Sequence, residues 1–153
     1  MLGIEYPILS AGMGPTLIGE NTGAPVELVV AVSEAGGLGV LGGSGFTVDE
    51  LREAIREIRK LTDKPFGVDL LLPKFLDLGG AMGKEGVDAV PLKYLLRTLP
   101  QPHLEWYQKI KTEMELPDVD VMVRMNTTTM RPQESIQVCL EEKVPLFLSL
   151  IHI

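Results

Sequence analysis

The 153-residue chain has a single cysteine, Cys139, two histidines and no surplus of positive charge. One thiol excludes an internal disulfide framework. Fourteen Lys and Arg against 21 Asp and Glu leave a formal net charge of −7, which argues against a nucleic-acid backbone or an anionic membrane as partner, because both are attracted by clustered cations. No apolar run reaches the roughly 18 residues of a membrane span. The first residues also lack the basic-then-apolar pattern of a signal peptide, so a cytoplasmic location is expected. Zinc-ligand spacing, a catalytic triad and a P-loop are missing as well. His103 opens a helical stretch with no nucleophile or metal partner near it and reads as a surface residue, while His152 lies in the last residues of the chain. Cys139, close to Ile136 and Val138 on a helical stretch, reads as a buried, inert thiol.

What is present is an ordinary globular composition, 45% hydrophobic and 23% charged, at a length that suits one domain with its own core. Residues 36–45, GGLGVLGGSG, contain a formal G-x-G-x-x-G match at Gly37, Gly39 and Gly42. A dinucleotide fingerprint needs a strand before its glycines and a helix opening at them, so that the helix N-terminus faces the pyrophosphate. Here the order is reversed. A helix over 25–35, opened by Pro25 at its first position, runs into Gly36 and Gly37 as a C-terminal cap. Leu38 to Leu41 then read as the strand itself, and the next helix starts only at Thr47, where Thr47-Val-Asp-Glu50 forms a capping box.

That next helix, 47–62, carries Leu51, Ile55, Ile58 and Leu61 at helical spacing, with acids early and Arg59 and Lys60 late, as the helix dipole favours. Before it, residues 6–13 read as a first strand, followed by a loop through Gly14, Pro15, Gly19, Asn21 and Gly23. After it, 66–73 read as a strand buried on both faces. Strand, helix, strand, helix, strand at this spacing implies right-handed crossovers and a parallel sheet. Residues 74–131 break the rhythm: Gly79, Gly80, Gly83 and Gly86 mark a loop, and a helix over 103–116 follows Pro100 and Pro102. A helix over 131–143 and a fourth strand over 144–150 restore it.

Four segments in order, YPILSAGMG, AVSEAGGLGVLGG, TVDELREAIREIRKLTDKPFGVDL and EEKVPLFLS, resemble the nitronate monooxygenase family, formerly 2-nitropropane dioxygenases. The resemblance is close over residues 4–72 and at the fourth strand, and poor across the insertion. It implies an α/β fold, the N-terminal half of a TIM (β/α)8 barrel, with an inserted helical segment near 74–131 after the third strand. It implies flavin mononucleotide (FMN) as cofactor, and a chemistry in which an alkyl nitronate is oxidised by way of the flavin and oxygen. A flavin-dependent enoyl reductase on the same barrel, using a pyridine nucleotide, is the alternative, and a non-catalytic half-barrel is a third reading.

In a TIM barrel function gathers at the C-terminal ends of the strands, so the loops beginning at Ala11, Gly42 and Asp69 are expected to open onto one face, with glycines that let a flat ring come close. Ala11, Gly12, Met13 and Asp69 are the cofactor-binding residues this implies. Asp69 replaces the asparagine with which the family contacts flavin. A carboxylate inside FGVDLLL is costly unless paired; ionised, it accepts from a flavin N–H or a ribityl hydroxyl and cannot donate as an amide does. The family's histidine base and phosphate loops lie in later strands that these residues do not include, so no catalytic base is named. The chain alone is expected to hold FMN weakly and, with open sheet edges, to pair into homo-oligomers. Residues 149–153 are expected not to be native. The remaining partner is a small-molecule substrate.

Overall fold

A computed structural model gives the fold, and it describes residues 2–15, 26–72, 89–118, 121–124, 127–129 and 131–149. Pro25, the four glycines at 79–86, His152 and most of the chain end at 150–153 therefore lie outside the described residues. In chain order the elements are α1 (Val26–Glu34), β1 (Gly39–Gly42), α2 (Val48–Leu61), β2 (Phe66–Leu70), β3 (Ala89–Pro91), α3 (Leu92–Leu96), α4 (Gln101–Glu113), β4 (Met122–Arg124), α5 (Pro132–Glu141) and β5 (Leu146–Ser149). Three strands form a parallel sheet in the order β1-β2-β5, with Gly42 opposite Asp69 and Asp69 opposite Leu148.

The glycine stretch is built as its context requires. Gly36 takes φ of +89° and closes α1, with Gly36 N–H on the Ser33 carbonyl at 3.1 Å and Gly37 N–H on the Val32 carbonyl at 3.1 Å, the paired bonds of a Schellman cap. β1 starts at Gly39, where a Cβ would stand 2.0 Å from the Val29 carbonyl oxygen, so the missing side chain lets α1 lie directly on the strand. Buried Ser33 fastens the two, donating to the Pro65 carbonyl at 2.9 Å and accepting from Gly39 N–H at 3.1 Å. The helix that follows is capped by the expected box: Glu50 N–H reaches Thr47 Oγ1 at 3.2 Å, and Thr47 N–H reaches Glu50 Oε2 at 2.8 Å.

Leu51, Ile55 and Ile58 of α2 are completely buried and meet Leu41, Phe66, Val68 and Leu70 of the sheet, with Val29 of α1 and Val138 and Cys139 of α5. Helices thus cover one face of the sheet. Val40, Gly67 and Asp69 alternate with those core residues and belong to the other face. Burial pushes the Cys139 thiol up to about 11, which makes it the inert thiol expected.

Three sequence expectations need correction. Residues 6–13 do not form a strand; a parallel bridge at Leu9 and Leu38 is all that pairs. The ladder stops because Val40 N–H is taken by Ser10 Oγ at 2.9 Å, a side chain standing in for the strand's carbonyl. The 103–116 helix begins earlier, at Gln101, with Pro102 in the first turn, where its missing N–H costs nothing. The insertion also holds β3 and β4, an antiparallel pair around Val90 and Val123 that short runs of three residues did not announce.

α2 and α5 are tied on their outer side by charge. Arg52 contacts Glu141 at 2.7 Å and Glu142 at 3.2 Å, Arg56 contacts Glu142 at 2.8 Å, and Arg59 donates to the carbonyls of Glu142 and Lys143. Partial burial raises the Glu142 carboxyl, but the hydrogen bonds and charges of Arg56 and Arg52 outweigh it and hold the group below the ordinary glutamate range. A carboxylate depressed in the folded state stabilises the fold above its unfolded pKa, about 4.3, and loses that contribution as pH falls through the folded value. Glu142→Gln should therefore lower the urea unfolding midpoint at pH 7, and the gap to the parent chain should be smaller at pH 3. An equal gap at both pH values would show that the pairing does not contribute through its charge.

Candidate functional site

Three loops meet beyond the C-terminal ends of the parallel strands. The backbone of residues 12–15 lies directly against that of residues 42–45: a Cβ on Gly14 would come within 2.1 Å of the Gly42 carbonyl oxygen, and one on Gly45 within 1.7 Å of the Pro15 carbonyl oxygen. Neither position has room for a side chain. A Cβ on Gly12 would stand 2.6 Å from Asp69 Cβ and 3.1 Å from Asp69 Oδ2, so the first loop covers the carboxyl group. The loops at Ala11, Gly42 and Asp69 do converge. What differs from the sequence reading is the use of the glycines, since the space each leaves is filled by another loop of the same chain. Ala11 and Met13, on either side of Gly12, are exposed, Met13 to 65%.

Asp69 is the unusual group here. The residue is 8% exposed, and its Oδ1 is buried without a hydrogen-bond partner. Desolvation by burial pushes the carboxyl above its ordinary range, as expected for a charged form removed from water. Burial thus shifts Asp69 towards the neutral acid, a form that both donates and accepts a hydrogen bond. The Asp69 carbonyl meanwhile takes Gly43 N–H at 2.9 Å.

The loop after β1 is held by residues that the sequence did not single out. Four consecutive carbonyls are captured by one distant segment. Thr128 Oγ1 donates to the Gly43 carbonyl at 2.6 Å, Thr129 Oγ1 to that of Ser44 at 2.9 Å, Arg124 to that of Gly45 at 3.3 Å, and Thr128 N–H to that of Phe46 at 2.8 Å. Arg124 also grips both oxygens of Glu50 at 2.8 Å, which joins this clamp to the capping box of α2. On the opposite side Ser44 Oγ receives Leu71 N–H at 2.9 Å, tying the same loop to the chain leaving β2. Ser135 Oγ returns to the Thr128 carbonyl at 3.2 Å, and buried Thr127 Oγ1, like Asp69 Oδ1, has no partner. The only sequence signal was a run of three threonines before a helix, which is no more than a turn signal by itself. Among the described residues no group of His, Cys, Asp and Glu is placed to hold a metal, and His103 is exposed on α4.

Residues 1–145 match the sequence pattern of the family described as nitronate monooxygenase. The chain belongs to that family. Relatives of this nitronate monooxygenase family member include a probable nitronate monooxygenase of Staphylococcus haemolyticus, 44% identical over 72 residues that make up 47% of this chain and 18% of the relative. Another, from Mycobacterium tuberculosis, is named (3aS,4S,5R,7aS)-5-hydroxy-7a-methyl-1-oxo-octahydro-1H-indene-4-carboxyl-CoA dehydrogenase and is 43% identical over 70 residues, 46% of this chain and 18% of that protein. Among solved structures, a variant of FabK from Thermotoga maritima aligns with 98% of this chain and 30% of its own at 28% identity and a TM-score of 0.51. Nitroalkane oxidase from Streptomyces ansochromogenes aligns with 96% of this chain and 34% of its own at 22% identity and a TM-score of 0.57. Both neighbours are TIM-barrel enzymes. The chain thus spans about a third of these structures.

In this nitronate monooxygenase family member the Thr128 hydroxyl is the shortest link of the clamp. Its loss removes one of the two hydrogen bonds to the Gly43 carbonyl, which keeps Phe46 N–H at 3.2 Å, a change that typically costs about 0.5–1.5 kcal/mol. Thr128→Val should therefore lower unfolding stability by about that amount and speed amide hydrogen exchange at Gly43, whose N–H is held by Asp69. Unchanged exchange at Gly43 would mean that the loop keeps its shape without Thr128.

Proposed function

We propose that this chain supplies the first part of an FMN-dependent barrel oxidoreductase that oxidises alkyl nitronates with oxygen, with Ala11, Gly12, Met13 and Asp69 on the flavin side. The observation that carries the reading is the buried, unpartnered Asp69 Oδ1 at the C-terminal end of β2, beneath the converging loops of a nitronate monooxygenase family member. A buried polar atom without a partner costs stability unless a ligand completes it. A flavin N–H or hydroxyl is a group of the right kind, so the residues fit the cofactor. When bound, the flavin supplies reversible two-electron chemistry.

The chain's own residues then have definite tasks. Asp69 holds a proton or accepts one hydrogen bond at Oδ1, and the Gly12 peptide shields the carboxyl from water. Exposed Met13 offers a polarisable apolar contact beside it. The clamp from Arg124 to Thr129 fixes the loop that sets the height of Gly43 over Asp69. A second reading, a flavin-dependent reductase fed by a pyridine nucleotide, is favoured by one observation: a 43% identical relative is named as a carboxyl-CoA dehydrogenase.

Oxygen uptake by the holoenzyme separates the two. Propyl-2-nitronate should drive oxygen consumption without any pyridine nucleotide; oxidation of NADH or NADPH with no response to nitronate would replace the first reading by the second. The role of Asp69 has its own test. Asp69→Asn converts a group that burial drives towards neutrality into a permanent amide, and should shift the flavin absorption maximum or its reduction potential. If spectrum, potential and flavin affinity all stay as in the parent protein, Asp69 does not touch the ring.

A further inference from the structure

The insertion between β2 and α5 carries a cleft of about 630 Å³ that shares no residue with the loops at 11–15, 42–46 and 69. Its size falls in the range of small-molecule sites. The floor is apolar, made by half-buried Leu92 and Leu96 of α3, Leu104 of α4 and Val121 before β4. Three cations stand around it: Lys93, Arg97 and Lys111. This is a local reversal of sign in a chain whose net charge is −7, so it does not follow from composition.

The pairing of these cations is uneven. Among the described residues the Arg97 side chain has no hydrogen-bond or ion-pair partner, its backbone N–H alone bonding the Leu95 carbonyl. Lys111 is paired with Asp118, but the two sides of the pair differ: the lysine side chain is 24% exposed and the aspartate side chain 96%. An aspartate so fully in water holds its partner weakly, and it occupies the place that an incoming anion would take. Tyr107, which also lines the cleft, adds an aromatic wall beside Lys111.

The geometry points to a binding site for an organic phosphate with an apolar or aromatic body, its phosphate between Arg97 and Lys111 and its body on Leu92, Leu96 and Leu104. The forked donors of Arg97 match phosphate oxygens, and a desolvating apolar floor strengthens the charge pairing. Neither half of such a ligand is matched alone. Inorganic phosphate would forgo the leucines, and a neutral aromatic would leave the cations unused.

The test uses 1-naphthyl phosphate, inorganic phosphate and 2-naphthol, titrated into the chain and followed by calorimetry and by amide NMR shifts. Naphthyl phosphate should bind at least tenfold more tightly than either of the others, with shifts centred on Leu92, Leu96, Arg97 and Lys111. Arg97→Ala should weaken it at least tenfold. Asp118→Asn should tighten it several-fold by releasing Lys111, an effect opposite to that of general damage to the fold. Both positions are exposed, and far-UV circular dichroism checks that each variant is folded. Equal affinity for naphthyl phosphate and 2-naphthol would overturn the proposal and mark the cleft as a merely apolar surface. So would affinity equal to that of inorganic phosphate, or an Arg97→Ala variant that binds as the parent does.

Discussion

Close contact between the backbone of residues 12–15 and that of residues 42–45 sets the height of everything above the sheet. It exists because Gly14, Gly42 and Gly45 have no side chains, and a single methyl group at any of them would collide with a carbonyl or an amide. From this contact the rest follows in order. Gly12 is pressed onto Asp69, Asp69 is removed from water, and its Oδ1 is left without a partner. The local cost is borne by a core in which Leu51, Ile55 and Ile58 are fully buried against the other face of the same strands. A closely packed, helix-covered face thus supports a polar one with an unpaired oxygen.

Much of this was legible before any coordinates. α2 was readable almost to the residue, because its apolar spacing, its capping box and its charge gradient agree with one another, and agreement between independent local signals is what makes an element predictable. The order of elements around GGLGVLGGSG likewise excluded a dinucleotide turn, and Gly36 closes α1 as its position suggested. Asp69 stood out as a carboxylate in an apolar strand, and it is the buried unpaired group.

Apart from the start of α4, the failures share a cause: each concerns contacts between residues remote in sequence. The strand expected over 6–13 has the right composition, but Ser10 diverts the bond that would have extended the ladder. Strands β3 and β4 span three residues each, too few for a period to show, and they exist only through each other. The threonines at 127–129 are ordinary turn residues until the loop after β1 arrives with four carbonyls to satisfy. Likewise the glycines of the first two loops looked like room for a ligand, whereas their neighbours in space are each other.

The clamp on that loop also orders events in time. Its bonds join residues 79 to 85 positions apart, and contacts of such separation form late because the loop-closure entropy must be met first. At synthesis rates of roughly 5–20 residues per second, the residues after β1 wait about 4–17 s for their partners to leave the ribosome. During that interval β1, α2 and β2 can pair, since their contacts with one another span few residues, while α5 and β5 complete the core later. The loop above Asp69 therefore takes its shape only after β1, α2 and β2 have come together.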